Sequence, residues 1–306
     1  MEDIQFNQLG TIKELFIYFL IAASIILGLV AFFTAYYSWK YRKRKDDEQE
    51  PEQIHDNKKL EFSLIAVALS LVTLFFVLTI NGMNKIQDIP EDPHPDILIT
   101  GHQWWWEAEY SEDGLITANE IHVPTGKELI IQFNSDDVIH SWWVPAIGRK
   151  MDLVPGVDNY LSVKVEKEGI YWGSCSEFCG AQHGWMRIRL IAHSPEDFER
   201  WKRRQLEPKQ RLDEELFKKG EQLFSSKACT SCHAISPTAS IPAVGPNLAN
   251  FGSRKYFLSN IKLNTEINLK AWLRDPGKVK SSAKMPDMLL DEDQIAALTH
   301  YLENLK

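Results

Sequence analysis

Cysteine is scarce in this chain of 306 residues, which contains four, in two close pairs. Four cysteines are too few for the disulfide framework of a small secreted domain, so the pairing indicates metal or cofactor chemistry instead. Internal repeats are lacking, and so are low-complexity segments outside one charged loop. A composition of 44% apolar and 25% charged residues excludes a disordered or collagen-like chain. The length leaves room for about two domains.

Charged residues are absent from two long stretches near the N-terminus. Residues 15–39 and 62–84 form runs of 25 and 23 residues without Asp, Glu, Lys or Arg, and each run can cross a bilayer core of about 30 Å as a helix. The sequence therefore predicts a transmembrane hairpin within residues 1–84, with helices over about 15–39 and 62–84. The first run follows Glu2 and Asp3 and is too long for a signal-peptide core, so we expect it to be retained.

The loop between these runs sets the expected topology. Residues 40–61 contain seven Lys and Arg, whereas the N-terminal tail contains only Lys13. By the positive-inside rule this loop is cytoplasmic. Both termini, and everything after residue 84, are then expected on the extracytoplasmic side.

Three further segments follow the hairpin. Residues 85–193 contain short runs rich in β-branched and aromatic residues, separated by turn signals, which predict an antiparallel sandwich or barrel; the clearest are Ile97–Tyr110, Lys127–Asn134 and Val157–Val165. Residues 194–212 predict a short linker helix that begins near Ser194. Helical periodicity at Glu214–Phe224 and Asp291–Leu305 predicts a small all-α domain over residues 213–306.

The α domain contains the sequence Cys229-Thr230-Ser231-Cys232-His233. In this pattern two thiols attach covalently to one porphyrin and the adjacent imidazole binds its iron. A redox disulfide or half a zinc site would use the same cysteine spacing, but neither requires the adjacent His233. Methionine is a common second axial ligand, and Met285, which precedes Pro286, is the better candidate than Met288. Residues 213–306 also resemble a class I cytochrome c, with matching Gly245-Pro246-Asn247-Leu248, Trp272-Leu273 and Met285-Pro286. This resemblance implies that the Pro246 carbonyl accepts a hydrogen bond from the His233 ring.

The second cysteine pair lies in the β domain, in a segment that packs two thiols, an imidazole and a thioether into twelve residues, from Cys175 to Met186. His140 lies upstream of this segment. One Cys with two His fits a mononuclear copper centre, and two Cys with two His can bind zinc. Met186 has no use in a zinc site, whereas two thiolates can bridge two copper ions with one His on each. A Cys175–Cys179 disulfide is the structural alternative.

Residues 1–193 resemble subunit II of heme-copper cytochrome c oxidases. The matching features are the hairpin, Gly101-His102-Gln103-Trp104-Trp105-Trp106, His140-Ser141-Trp142, the segment 145–156 and the complete motif 175–186. The resemblance implies a cupredoxin-like (Greek key) fold and a binuclear copper centre, CuA. Its implied ligands are His140, Cys175, the carbonyl of Glu177, Cys179, His183 and Met186.

The resemblance assigns three further roles. The carboxylate of Glu177 would also reach a magnesium ion at the boundary with subunit I. Trp104 would be the residue at which electrons enter the copper centre, although the family usually has Tyr at the position of Trp105. Glu61 would lie at the mouth of a proton pathway, although the usual Trp and Pro after it are replaced by Leu64 and Ala68.

The combined resemblance is to a caa-type subunit II with a fused cytochrome c. It implies electron transfer from a respiratory donor through one covalently bound heme c and two copper ions to subunit I, where oxygen is reduced to water and protons are pumped. The expected partners are subunit I, other oxidase subunits, membrane lipid and a donor such as a cytochrome c, an iron-sulfur protein or a quinol-oxidising complex; no nucleic acid is expected. The expected location is a bacterial cell (inner) membrane. Alternatives are the CuA subunit of a nitric oxide reductase and a membrane-tethered electron carrier without an oxidase partner.

Overall fold

A computed structural model of the chain describes residues 8–42, 56–86, 89–207, 212–239 and 244–306. The chain forms two compact units, Met1–Asp88 and Ile89–Lys306. Within the first unit, helices α1 (Gln8–Lys40) and α2 (Lys58–Ile86) are both long and apolar enough to cross a membrane. Phe19 on α1 meets Phe75 on α2 edge to face, with ring centroids 6.1 Å apart. Both helices extend past the predicted ends because polar residues can continue a helix beyond the bilayer core.

The second unit begins with ten strands in two five-stranded sheets. The first sheet has the order β3-β2-β1-β5-β8 and consists of β1 (Ile97–His102), β2 (Trp105–Tyr110), β3 (Leu115–Ala118), β5 (Glu128–Ser135) and β8 (Asn159–Lys164). The second has the order β4-β10-β9-β6-β7 and consists of β4 (Glu120–Pro124), β6 (His140–Trp143), β7 (Met151–Leu153), β9 (Gly169–Cys175) and β10 (Arg187–His193).

Two strand pairs correct the prediction of an antiparallel fold. β1 runs parallel to β5, and β4 runs parallel to β10, whereas the other ladders between these ten strands are antiparallel. Alternating hydrophobicity shows which side chains face the core but not the direction of the neighbouring strand. The predicted single strand Ile97–Tyr110 is also divided in two, because the chain turns at Gln103 and Trp104 and pairs β1 with β2.

The core lies between the two sheets. Along β5, the side chains of Leu129, Ile131 and Phe133 are buried while the residues between them are partly exposed, which is the alternation of a strand with one face in a core. Trp106 and Trp142 are completely buried in the same core. Helix α3 (Pro195–Leu206) covers one side of the sandwich, and the Ser194 hydroxyl caps it by accepting a hydrogen bond from the backbone N–H of Asp197.

The C-terminal part of the second unit is mainly helical. It contains α4 (Glu215–Ser226), α5 (Glu266–Arg274), α6 (Pro276–Val279), α7 (Glu292–Glu303) and the two-residue strands β11 (Tyr256–Phe257) and β12 (Lys262–Leu263). α4 packs closely on α7 at Gly220, where a Cβ atom would lie 2.3 Å from the Ala297 carbonyl oxygen. α7 begins with a capping box formed by Asp291 and Gln294, a signal that stabilises a helix start.

Candidate functional site

Sulfur and imidazole side chains converge at one end of the second sheet. Cys175 ends β9, and its Sγ atom lies 3.8 Å from the Sγ of Cys179. The Nδ1 of His140 lies 4.0 Å from Cys175 Sγ, and the Nδ1 of His183 lies 3.7 Å from Cys179 Sγ. Met186 is completely buried, with its Sδ 3.9 Å from Cys179 Sγ. The beginning of β6, the end of β9 and the loop from β9 to β10 thus form one sulfur-rich pocket.

The electrostatics of the two thiols differ. A hydrogen bond from the Cys179 thiol lowers the pKa of Cys175 to about 3, although burial opposes this shift. The same interaction, together with burial, raises the pKa of the Cys179 thiol. The pair therefore ionises readily once, which is the first requirement for binding a soft metal ion through thiolate.

These donors fit a copper pair. Both cysteines are free, and the backbone carbonyl of Glu177 lies 3.3 Å from Cys175 Sγ. His140, Cys175 and Cys179 offer ligand atoms within 4.8 Å of one another. Two thiolates, two imidazoles and a thioether are the soft and borderline donors that copper prefers. The side chain of Glu177 is exposed to solvent.

Asp137 supports this pocket although nothing in the sequence identified it. Its Oδ1 atom accepts a hydrogen bond of 2.8 Å from the Nε2 of His140, and its Oδ2 accepts one of 2.6 Å from the backbone N–H of Gln103. A carboxylate behind an imidazole ligand fixes the orientation of the ring. Because Nε2 of His140 is held by Asp137, its Nδ1 faces the thiols.

The three consecutive tryptophans have different environments. Trp105 and Trp106 are buried, at 7% and 0% exposure, whereas Trp104 is partly exposed and donates a hydrogen bond of 3.0 Å from Nε1 to the Cys179 carbonyl. The structure therefore places the Trp104 side chain against the backbone of Cys179. Glu61 lies in the first turn of α2 with an exposed side chain.

The second group of candidate ligands lies in the α-helical part. Cys229 begins a short 3₁₀ turn that leads to Cys232 and His233. The Nδ1 of His233 lies 2.8 Å from the Pro246 carbonyl, the contact expected from the sequence, and this leaves Nε2 for iron. Gly245 allows the close approach, since a Cβ atom there would lie 2.5 Å from the His233 ring. Thiols at this spacing beside an oriented imidazole fit a covalently attached heme.

Met285 and Met288 differ in their packing. Met285 packs against the hydrophobic core of the α-helical part, where Phe224, Leu269 and Leu298 are buried. Met288 is not among the side chains in contact with that core in the part of the chain that the structure describes. Of the two methionines, Met285 is therefore the one that lies against this core.

The structure brings together two histidines that the sequence analysis did not predict to be neighbours. His122 on β4 and His193 at the end of β10 bring ring nitrogens to 2.8 Å, and Trp201 of α3 stacks on His122 with centroids 4.0 Å apart. The two histidines are distant in sequence, and only the parallel pairing of β4 with β10 brings them together.

Comparisons with known proteins find two matching families. Residues 114–192 match the family described as cytochrome c oxidase subunit II, periplasmic domain, and residues 217–306 match the family described as cytochrome c. Cytochrome c oxidase subunit 2 of Alkalihalophilus pseudofirmus is 35% identical over 277 residues, which cover 87% of this chain and 79% of that protein. The corresponding subunit of Bacillus subtilis is 31% identical over 284 residues, covering 87% and 80%.

A solved structure is also similar in part. It is the periplasmic domain of subunit II of cytochrome oxidase from Bradyrhizobium japonicum, with 33% identity and a TM-score of 0.34, and the match covers 36% of this chain and 92% of that domain. The two matching domains imply copper and heme as cofactors. The extent of similarity to the bacterial subunits shows that the chain belongs to the cytochrome c oxidase subunit 2 family, in the form that carries a C-terminal cytochrome c domain.

Proposed function

We propose that this chain accepts single electrons from an external respiratory donor in residues 213–306 and delivers them through residues 85–193 to the catalytic subunit of an oxidase. Heme c and a copper pair, when bound, would supply one-electron redox changes at the two sites, and the catalytic subunit would reduce oxygen and pump protons. The observation that carries the proposal is the convergence of two thiols, two imidazoles and a thioether in the β domain, in a chain that also contains Cys229, Cys232 and His233.

The protein would hold each group in a prepared site. In the β domain the copper ligands are His140, Cys175, the Glu177 carbonyl, Cys179, His183 and Met186. Met186 is fully buried and His140 is held by Asp137, so these donors have little freedom to rearrange when the charge at the site changes. In the cytochrome domain, Cys229 and Cys232 would form the thioether bonds, and His233 and Met285 would be the axial ligands.

The membrane part and the exposed acids have proposed roles as well. Residues 1–84 anchor the chain beside the catalytic subunit in a bacterial cell membrane, with both redox domains outside the cytoplasm. The exposed carboxylate of Glu177 is available to a magnesium ion at the boundary with that subunit. Glu61, in the first turn of α2, is proposed as a carboxylate that receives protons for the catalytic subunit.

Metal and heme analysis of the purified membrane complex tests this proposal. We expect two copper ions and one c-type heme from this chain, together with copper and further hemes from a large polytopic subunit that copurifies. Turnover of oxygen rather than nitric oxide would separate the proposed oxidase from a nitric oxide reductase.

A variant at the copper site sharpens the test. Cys179→Ser removes one thiolate, so it should abolish the spectrum of the copper pair while the heme c spectrum remains. Ser176→Ala, a change in the same loop outside the ligand set, is the matched control and should retain both spectra. Retention of the copper-pair spectrum in Cys179→Ser would overturn the assignment.

A further inference from the structure

The imidazole rings of His122 and His193 face each other across the parallel strands β4 and β10. Nδ1 of His122 lies 2.8 Å from Nε2 of His193, and the two rings are within 6° of parallel, with centroids 5.0 Å apart. These distances place the hydrogen bond between nitrogens that point at each other, which is its favoured geometry. One ring donates and the other accepts, so the bond requires that at least one of the two rings is neutral.

Helix α3 closes over this pair. Trp201 stacks on the His122 ring, with centroids 4.0 Å apart and an angle of 10° between the rings. Phe198 of the same helix is buried, and both aromatic rings of α3 pack against Tyr110. The Tyr110 hydroxyl accepts a hydrogen bond from the backbone N–H of His122 and donates one to its carbonyl, each of 2.8 Å. His122 is thus held through its backbone by β2 and through its ring by α3.

The surroundings of His122 oppose a positive charge on its ring. The side chain is buried beneath Trp201, and burial lowers the pKa of His122 well below its ordinary 6.5. His193 and the guanidinium groups of Arg189 and Arg254 act in the same direction. A proton on this ring therefore costs free energy as long as α3 covers it.

His193 is partly buried and has neighbours of both signs. Burial lowers the pKa of His193, and so does Arg204 of α3. The carboxylates of Asp197 on α3 and of Glu168, which precedes β9, act in the opposite direction. The folded protein therefore favours two neutral rings, and the effect is larger at His122 than at His193.

A second attachment of α3 does not respond to pH in the same range. Lys202 is buried, and its ammonium lies 2.6 Å from Oε2 of Glu112, 3.2 Å from Oε1 of Glu199 and 3.6 Å from Oδ2 of Asp113. The hydrogen bond with Lys202 lowers the pKa of Glu112, so this attachment stays ionised between about pH 5 and 8. Acid therefore acts on the imidazole pair and leaves the attachment at Lys202 in place.

We propose that His122, His193 and Trp201 form an acid-sensitive latch, which holds the linker helix α3 on the β sandwich at neutral pH and loosens it when the outer compartment becomes acidic. The latch is complete at high pH and is lost as the pH falls, because the open state binds protons that the closed state excludes. Since α3 leads into the cytochrome domain, the latch sets how firmly the two parts of the chain are joined. Only the extracytoplasmic location rests on the proposed function.

Hydrogen exchange measured by mass spectrometry on the complete membrane complex tests the latch. A ring that is neutral in the closed state and has its ordinary pKa in the open state favours opening by about tenfold when the pH falls from about 7.5 to 5.5. We expect this factor from His122 and at least about threefold more from His193. The opening constant of α3, corrected for intrinsic exchange, should thus rise by about thirtyfold or more in the wild type, with the amides of α7 as internal reference.

Three variants assign the response to the imidazole pair. His193→Gln keeps a hydrogen-bonding side chain beside His122 but removes one titrating ring, so the rise should fall to about tenfold. Adding His122→Phe keeps an aromatic ring under Trp201 and removes the second titrating ring, so the change should stay within about twofold. His94→Gln, the same kind of change at an exposed histidine, is the matched control and should respond as the wild type does.

The outcomes separate the latch from a general effect of acid. Exchange of α3 in the wild type that does not change with pH, or an equal rise in the wild type and the double variant, would overturn the proposal. If the double variant does not fold, a rise in His193→Gln as large as in the wild type has the same meaning. The measurement involves no electron transfer. Absence of copper or heme from the wild type would contradict the proposed function without changing the result for α3.

Discussion

At the scale of single residues, the sulfur-rich pocket consists of ligand candidates and of Asp137, which holds the ring of His140 through a hydrogen bond. Cys175, Cys179, His183 and Met186 lie within twelve residues, so their common chemistry is visible in the sequence. Asp137 could not be identified in this way, because an acidic residue on a strand loop is ordinary until the fold places it 2.8 Å from an imidazole.

Glu107 on β2 shows how burial sets a pH response. Burial, followed by the nearby carboxylates of Asp136 and Glu109, raises the pKa of Glu107 from its ordinary 4.5 to about 7. The folded protein therefore favours the protonated acid, and the stability that this provides is complete below pH 4.5 and is lost as the pH rises through 7.

Glu107→Gln should remove this loss. The variant should match the wild type near pH 4 and be more stable by roughly 2 to 3 kcal/mol at pH 8, measured as the difference in thermal unfolding midpoint across pH. The exposed Glu91→Gln, which makes the same chemical change away from this cluster, is the control. A difference between Glu107→Gln and the wild type that does not vary with pH would contradict the argument.

At the scale of elements, hydrophobic periodicity located some of the helices and strands to within a few residues but not the partners of the strands. The predicted strand Lys127–Asn134 corresponds to Glu128–Ser135, and the predicted helix Glu214–Phe224 corresponds to Glu215–Ser226. Periodicity depends on which side chains face a core, and therefore it finds elements. Strand direction depends on connections across the fold, and therefore the parallel neighbours of β1 and β10 were missed.

The crossing of α4 and α7 depends on one small residue. Gly220→Ala would place a Cβ atom 2.3 Å from the Ala297 carbonyl and 2.6 Å from Tyr301 Cβ, so the helices must separate. We expect a loss of about 1 to 3 kcal/mol, seen as a lower midpoint for loss of the heme absorption band on heating. Gly277→Ala meets only the Asp275 side chain at 3.6 Å and should leave the midpoint unchanged. Equal midpoints for the two variants would show that the crossing can adjust.

At the scale of the whole molecule, the net charges of the two redox domains favour their encounter but do not define how they meet. Residues 85–212 carry a net charge of −7 and residues 213–306 a net charge of +1, totals that favour encounter without defining an orientation. The orientation comes from particular groups, such as Asn260 on Asn119. No periodicity or motif encodes such a contact.

The buried pair of Glu120 and Arg189 should make the stability of one domain depend on the other. Both side chains are 6% exposed, and Glu120 also binds the backbone of Tyr256. Arg189→Ala would leave a buried carboxylate without its partner, which costs about 3 to 5 kcal/mol. We expect copper and heme absorbance to be lost together at a lower temperature than in the wild type.

Two further variants test whether the instability of Arg189→Ala comes from the uncompensated charge of Glu120 or from the loss of the arginine side chain itself. Arg187→Ala, an exposed arginine on the same strand, should leave the midpoint unchanged. Adding Glu120→Gln to Arg189→Ala should restore part of the loss, because the uncompensated charge is removed. If the double variant is as unstable as Arg189→Ala alone, the buried charge is not the cause.

The contacts of Trp104 with Ser259 and Lys284 also bear on how this protein could change its electron donor: the Ser259 hydroxyl donates a hydrogen bond of 2.6 Å to the Trp104 carbonyl, and Lys284 Nζ lies 5.8 Å from the centre of the Trp104 ring. If external donors meet only the cytochrome domain, substitutions that suit a new donor fall on the outer surface of the last 94 residues. The copper site and its contacts with the oxidase then remain under separate selection. The protein could then come to use a different electron donor without a substitution in the copper site or in its contacts with the oxidase.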